Sequence, residues 1–237
     1  MYGWRGKVGV ILPSLNNTME PELNKMVPRG VAVYATRLLL ERGLPENLEK
    51  LATDTEQASD LLKTADVTGI LYGCTSGSLI KGVGWDREII RRIESRTGIL
   101  ATTTSTAVIE AFKELKVKSV AVATPYVDEV NRIEKTFFEA HGVKVVNIQG
   151  LGYTKGEELH RESPDTAYAF AKKVDRQEAD CLFISCTDFA AIEVLNFLEQ
   201  DLGKPAMSSN TASLWGILRK MGIKERMDGY GEILRRL

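Results

Sequence analysis

Two cysteines stand at matching points of the chain, where their thiols could do chemistry. Cys74 and Cys186 each end a short apolar run, and each is followed by hydroxyl groups, from Thr75 and Ser76 in one case and Thr187 in the other. A thiolate is a strong nucleophile, and a thiol can also donate or accept a proton. The structural alternative is a pair of buried core cysteines. Their symmetric placement favours a catalytic pair.

The position of each cysteine in the sequence distinguishes Cys181 from Cys74 and Cys186. Cys181 begins the apolar run that Cys186 ends, so we expect it to be structural. Cys181 and Cys186 are not spaced as a C-x-x-C motif, and this disfavours a role in disulfide exchange. A total of three cysteines, an odd number, is typical of a reducing cytoplasm rather than of a secreted disulfide framework. Residues able to open a helix follow Cys74 and Cys186, and a helix N-terminus would lower a thiol pKa and attract a carboxylate.

Two polar segments are expected to reach the same place. Pro13–Glu20 carries Ser14 and Asn16, and Thr124–Tyr126 occupies the equivalent position later in the chain. Both segments follow predicted strands, and ligands of open parallel sheets bind at the carboxyl ends of strands. We therefore expect Ser14, Asn16 and Tyr126 to face the cysteines. Helix capping and turn formation favour the same residue types and remain the alternative.

Composition excludes several other function classes. Lys plus Arg number 31 against 32 for Asp plus Glu, and this balance removes the main argument for nucleic-acid binding. No apolar run approaches the roughly 20 residues that cross a membrane, and the apolar stretch before Pro13 is too short for a signal peptide core. With two histidines and no clean phosphate-binding loop, we expect no metal, nicotinamide or pyridoxal phosphate.

Several segments of the chain recur later in the sequence at one constant spacing. This spacing equals the one between Cys74 and Cys186, and we call it the repeat offset. The segments that match at this offset are Lys7–Pro13 with Ser119–Pro125, Val31–Tyr34 with Val143–Val146, and Gly69–Thr75 with Cys181–Thr187. Three segments sharing one offset indicate a gene duplication.

Each copy alternates short, β-branched strands with amphipathic helices, which is typical of right-handed βαβ units and buried parallel sheets. Helices are predicted at Asn47–Ala65, Trp85–Arg96, Thr106–Leu115, Val127–Ala140, Pro164–Glu178, Phe189–Asp201 and Ala212–Met221. The pattern predicts an α/β fold of two similar parallel-sheet units, residues 1–104 with 209–237 and residues 105–208. A pseudo-twofold axis between them would bring Cys74 and Cys186 to one cleft.

Taken together, these motifs resemble the aspartate/glutamate racemase superfamily and, within it, the maleate cis-trans isomerases, with arylmalonate decarboxylases as relatives. The segments that carry the resemblance are Tyr2–Arg5, Pro13–Glu22, Cys74–Ser78 and Thr124–Asn131. The likeness covers nearly the whole chain. It implies a racemase-like fold of two flavodoxin-like units, catalysis without a cofactor, a small carboxylate substrate and a homodimer.

The resemblance also implies roles for individual residues. Cys74 would be the nucleophile and Cys186 the acid, while Asn16 and Tyr126 would hold the substrate carboxylates. The residues themselves add Ser14, Thr75, Ser76 and Thr187 as substrate-binding candidates, because their hydroxyl groups follow the predicted strands.

Two positions depart from the family pattern. A carboxylate-binding asparagine that the family usually carries is replaced by Gly156, beside Lys155, whose charge could compensate. Asp188, two residues after Cys186, would repel a dianion if its side chain pointed inward.

The leading function hypothesis is therefore cofactor-independent cis-trans isomerisation of a small unsaturated dicarboxylate such as maleate. The alternatives are a racemase or epimerase of an amino acid or hydantoin, in which two thiols flank one carbon, and an arylmalonate-type decarboxylase. The decarboxylases keep only the cysteine of the second half, so the presence of Cys74 counts against that alternative. A carboxylate-binding sensor with inert cysteines is a third, non-catalytic class.

Overall fold

A computed structural model describes all 237 residues. The strands are β1 Gly6–Pro13, β2 Val31–Leu38, β3 Gly69–Tyr72, β4 Ala101–Thr103, β5 Ser119–Thr124, β6 Lys144–Gly150, β7 Cys181–Ile184 and β8 Ala206–Ser208. The helices are α1 Met19–Met26, α2 Pro45–Leu51, α3 Thr55–Thr64, α4 Thr75–Leu79, α5 Trp85–Thr97, α6 Thr104–Glu114, α7 Asp128–Ala140, α8 Gly156–Leu159, α9 Pro164–Val174, α10 Leu195–Leu202, α11 Ser209–Lys220 and α12 Glu232–Arg235. No helix is both long and apolar enough to cross a bilayer.

The strands form two parallel sheets with the same topology, β2-β1-β3-β4 and β6-β5-β7-β8. Val8 pairs with Gly69 in the first sheet, and Val120 pairs with Cys181 in the second. Each residue of the first pair is one repeat offset before its counterpart in the second pair, so the sequence repeat is a structural repeat. The predicted α/β fold of two similar parallel-sheet units is confirmed.

Helices α6 and α11 pack against each other, and α11 also contacts β3 and β4 of the first sheet. The two helices approach closely at Gly216, where an added β-carbon would lie 2.7 Å from Cβ of Ala107. A larger residue would force them apart, so glycine is required at this crossing. The division into residues 1–104 with 209–237 and residues 105–208 stays a prediction.

Three predicted helices are wrong in extent, and the first of these, Pro164–Glu178, ends at Val174. The span Asn47–Ala65 is broken into α2 and α3 by a 3-10 turn at Ala52–Asp54. The span Phe189–Asp201 becomes helical only at Leu195.

Glu22 of α1 accepts hydrogen bonds from the backbone N–H groups of Ala191 and Ile192, at 2.9 and 3.3 Å. This buried carboxylate therefore satisfies donors that would otherwise belong to the first turn of a helix. The loop after β7 is held against α1, and it keeps an irregular path past the cavity described below.

Candidate active site

A small cavity at the carboxyl ends of strands from both sheets gathers most of the predicted site residues. It is lined by Pro13, Leu15, Asn16, Leu40, Gly43, Leu48, Cys74, Thr75, Ser76, Pro125, Tyr126, Tyr153, Thr154, Lys155, Gly156, Leu159, Cys186, Thr187 and Asp188. Its volume is about 60 Å³. On the same scale, a single water molecule needs about 10–15 Å³. The space suits a small molecule, and both Cys74 and Cys186 border it.

Cys74 lies directly before α4 and is buried. Its Sγ accepts a hydrogen bond from the N–H of Gly77 at 3.3 Å and lies 3.8 Å from Oγ of Ser76. Burial raises the pKa of the Cys74 thiol to about 11, and it outweighs the opposing effect of these two donors. The start of the helix therefore acts on this pKa in the expected direction, but burial has the larger effect and the net change is upward.

Cys186 is held in an unusual backbone conformation, with φ of +95°. Residues other than glycine rarely adopt this conformation, and its cost is about 1–3 kcal/mol. The backbone N–H of Cys186 donates to Oγ of Ser209 at 3.1 Å, and Sγ accepts from the N–H of Asp188 at 3.4 Å. Burial raises the pKa of the Cys186 thiol, the negative charge of Asp188 raises it further, and the Asp188 N–H and the Tyr126 hydroxyl oppose this rise.

Hydrogen bonds between side chains tie the two cysteine loops to each other. Oγ1 of Thr187 donates to the carbonyl of Gly73 at 3.1 Å and accepts from Nδ2 of Asn16 at 2.9 Å. Oγ1 of Thr75 donates to Oγ of Ser209 at 2.8 Å. Because each bond joins residues from opposite halves of the sequence, the two thiols are fixed across one cavity.

Asn16 combines the two roles that its sequence allowed. Its Oδ1 accepts hydrogen bonds from the N–H groups of Thr18 and Met19, at 3.1 and 2.9 Å, so it caps the start of α1. The side chain is buried and also lines the cavity. Arg37 donates to its carbonyl oxygen and to the Glu20 carboxylate, which fixes this loop from outside.

Ser14 is the one predicted binding residue that does not line the cavity. Its hydroxyl is engaged by the backbone of Leu40, accepting from the N–H at 3.0 Å and donating to the carbonyl at 3.3 Å. The other predicted binding residues, Asn16, Thr75, Ser76, Tyr126 and Thr187, all border it.

An Asp188–His160 pair is the main feature that the sequence did not reveal. Oδ1 of Asp188 accepts from the N–H groups of Asn17 and Thr18, and Oδ2 lies 2.9 Å from Nε2 of His160. Burial raises the pKa of Asp188, while these contacts oppose the rise. The carboxylate is thus occupied in holding the loop before α1. The two residues are 28 positions apart, and no local pattern links them.

The cavity is also lined by several leucines and a single lysine. Leu40, Leu48 and Leu159 line it together with Lys155 and Gly156. The Lys155 ammonium forms no salt bridge in the structure. No three His, Cys, Asp or Glu side chains come together as a metal site would require.

The family profile of arylmalonate decarboxylase (Amdase) matches residues 8–234. The chain belongs to this family. Among curated members, the Nocardia farcinica maleate isomerase is 25% identical, with 97% of this chain and 95% of the relative covered. The Alcaligenes faecalis maleate isomerase is 22% identical, with 96% of each covered. The Bordetella bronchiseptica arylmalonate decarboxylase is 26% identical, with 95% of each covered.

Solved structures of family members share the fold. A cysteine-to-alanine variant of the Pseudomonas putida S16 maleate isomerase with maleate superposes with a TM-score of 0.94 at 21% identity, covering 98% of each chain. A cysteine-to-serine variant of the Nocardia farcinica enzyme, with a covalently bound succinylcysteine intermediate, gives 0.92 at 22% identity, covering 97% of this chain and 98% of the other. The predicted relationship to maleate isomerases and arylmalonate decarboxylases is confirmed, and this family member is an enzyme.

Proposed function

We propose that this protein is a cofactor-independent isomerase that converts a small cis-unsaturated dicarboxylate, of the maleate type, into its trans isomer. The observation that carries the proposal is that Cys74 and Cys186 border one small cavity. Maleate isomerases among the relatives, aligned over almost their whole length, support it. The succinylcysteine intermediate in one of them supports thiol addition as the chemical step.

The reaction begins with the thiolate form of Cys74. Its sulfur adds to one alkene carbon, and the electron pair of the double bond moves to the neighbouring carbon, which takes a proton from the Cys186 thiol. The former double bond is now single and can rotate. The Cys186 thiolate then removes a proton from the same carbon, the double bond re-forms as trans, and the carbon–sulfur bond breaks to restore the Cys74 thiolate.

Substrate binding is assigned to the polar cavity residues Asn16, Thr75, Ser76, Tyr126 and Thr187. Asn16 donates one amide hydrogen to Thr187 and has a second for a substrate carboxylate. Lys155, which has no salt-bridge partner, is the cation available to the second carboxylate at the end where Gly156 lies. From the resemblance we also propose a homodimer located in the cytoplasm.

A racemase or epimerase is the second candidate, because thiols at equivalent strand ends could also remove and return a proton on opposite faces of one carbon. An arylmalonate-type decarboxylase is the third, since the family includes such an enzyme.

Proton NMR in deuterated water separates these candidates. The protein is incubated with maleate, with single enantiomers of aspartate, glutamate and a hydantoin, and with an arylmalonate. We expect the fumarate alkene signal to appear with maleate. Exchange of the α-proton with inversion would instead show a racemase, and formation of an arylacetate would show a decarboxylase.

A further inference from the structure

Tyr72 carries a hydroxyl group without a hydrogen-bond partner, although the side chain is fully buried. Leaving a buried polar group unpaired costs about 1–3 kcal/mol, and phenylalanine would fill the same space without that cost. The presence of a hydroxyl at this position is therefore explained by a hydrogen-bond acceptor that forms only at some stage of the protein's activity.

The nearest reactive group is the thiol of Cys74. Tyr72 ends β3, and Cys74 continues the extended backbone with φ of −145° and ψ of 113°. Side chains two residues apart on an extended chain point to the same face. A β-carbon added at Gly77 would lie 3.0 Å from Sγ of Cys74 and 3.2 Å from Oη of Tyr72. The sulfur and the hydroxyl therefore both lie close to the position that a β-carbon at Gly77 would occupy.

The second half of the chain has no such hydroxyl. The residue one repeat offset after Tyr72 is Ile184, which precedes Cys186 just as Tyr72 precedes Cys74. Because the two copies otherwise repeat the strand and its cysteine, the hydroxyl belongs to one thiol alone. That thiol is the one assigned above as the nucleophile, which must carry a negative charge when it reacts.

We propose that Tyr72 is a positioning residue for Cys74, and that its hydroxyl donates a hydrogen bond to the Cys74 sulfur once that sulfur is a thiolate. No hydrogen bond joins the hydroxyl to the sulfur in the structure, and a neutral thiol is only a weak acceptor, so a small shift of one side chain accompanies formation of the bond. A thiolate is an anion, and hydrogen bonds to charged groups are the stronger ones. The bond would stabilise the nucleophile and fix its direction toward the cavity.

The proposal rests on the proposed function only in taking Cys74 as the nucleophile. Other titratable groups also act on this thiol: Cys186, Tyr126 and Asp188 face it across the cavity, and Lys155 lines the same space. None of these is altered by replacing Tyr72 with phenylalanine.

The test measures the thiol rather than turnover. The rate of Cys74 alkylation by iodoacetamide is followed from pH 7 to pH 11 by mass spectrometry of its peptide, in the wild type and in Tyr72→Phe. Burial already raises the pKa of Cys74 to about 11, at the end of this range, so the two proteins are compared by their rates at each pH. We expect alkylation at pH 8 to be slower in the variant by roughly tenfold or more, as the loss of a hydrogen bond to a charged group implies. Cys186 should label at an unchanged rate.

Tyr34→Phe, which removes a hydroxyl from β2 of the same sheet outside the cavity lining, is the control and should leave Cys74 unchanged. Equal alkylation rates of Cys74 at pH 8 in the wild type and Tyr72→Phe would overturn the proposal, whatever the substrate proves to be. Gly77→Ala gives a second arm, because its methyl group would crowd both the sulfur and the hydroxyl. It should also slow Cys74 alkylation at pH 8, and an unchanged rate there would count against the proposal even if Tyr72→Phe failed to fold.

Discussion

Cys74 and Cys186 lie at equivalent points of two repeated units, yet their surroundings differ. Cys74 has an extended backbone and leads directly into α4, with a buried tyrosine hydroxyl beside it. Cys186 has a backbone in the left-handed region, is followed by an irregular loop, and has the acid Asp188 two residues on. Duplication explains why two thiols meet at one cavity, and the later differences suit them to unlike tasks.

The difference concerns how readily each thiol forms an anion. The donors around Cys74 are the Gly77 N–H, the Ser76 hydroxyl and, by our proposal, Tyr72. Burial is the main cause that raises the pKa of the Cys186 thiol, and the negative charge of Asp188 raises it further; the same charge also raises the pKa of Cys74. The hydrogen-bond donors at Cys74 support the proposed roles, with Cys74 as the nucleophile and Cys186 as the proton donor.

The largest effect is expected from replacing each cysteine in turn. Cys74→Ser should lower maleate turnover by at least about a thousandfold, because a serine hydroxyl has far too high a pKa to form the anion. Cys186→Ser should keep a trace of activity if water can supply the proton. Cys181→Ser is the control, since this thiol is buried at the start of β7. Equal residual activities in the first two variants would remove the distinction between nucleophile and acid.

The sequence predicted the features that depend on local pattern and repetition. The repeat offset located both cysteines at strand ends, and the parallel sheets then placed them at one cavity. The loop before α10 is held by Glu22, which is far away in the sequence. The Asp188–His160 pair likewise joins separate elements, and the unpaired Tyr72 hydroxyl is visible only once every neighbour is placed. Contacts of this kind leave no periodic signal in the sequence.

Asn16→Ala tests whether the loop before α1 binds substrate from the first unit. We expect KM for maleate to rise about 10- to 100-fold, since hydrogen bonds to a charged carboxylate are worth about 1.5–3 kcal/mol. The melting temperature should also fall by a few degrees, because Asn16 caps α1 and bonds Thr187. Steady-state kinetics and thermal denaturation measure the two effects. A lower melting temperature with unchanged KM would leave Asn16 as a cap only.

Asp188→Asn sharpens the contrast between the two thiols. The substitution keeps an oxygen for the N–H groups of Asn17 and Thr18 but removes the charge that opposes the Cys186 thiolate. Alkylation of Cys186 at pH 8 should accelerate roughly three- to tenfold. The surface acid Asp201, paired with Lys172, gives the control Asp201→Asn. If Cys186 labelled no faster in Asp188→Asn, the charge of Asp188 would add nothing to the effect of burial on the Cys186 pKa.

The smallest effect is expected on thermal stability, when two buried glutamates are replaced. These are Glu22 and Glu134, which are themselves separated by the repeat offset. Glu22 is fully partnered: Oε1 accepts from two backbone N–H groups, and Oε2 accepts from Nδ2 of Asn210 at 2.6 Å. Glu134 has only the Ser185 hydroxyl, at 2.6 Å on Oε1, and its Oε2 is unpaired. Burial raises the pKa of Glu134 to about 8, and the Ser185 bond offsets only part of that rise.

The two glutamates should therefore respond to amidation with opposite signs. The folded-state pKa of Glu134 lies above its unfolded value, so the stability it contributes is complete below about pH 4.5 and is lost as pH rises through about 8. Glu134→Gln cannot ionise, and its melting temperature relative to the wild type should climb by several degrees between pH 5 and pH 9.

Glu22→Gln should lower the melting temperature at pH 8 by roughly 3–10 °C, because its new amide group would face the Asn210 donor. Thermal denaturation across this pH range decides the matter, with the exposed Glu139→Gln on α7 as control. Parallel curves for Glu134→Gln and the wild type would mean that Glu134 is not the buried acid that titrates behind β7.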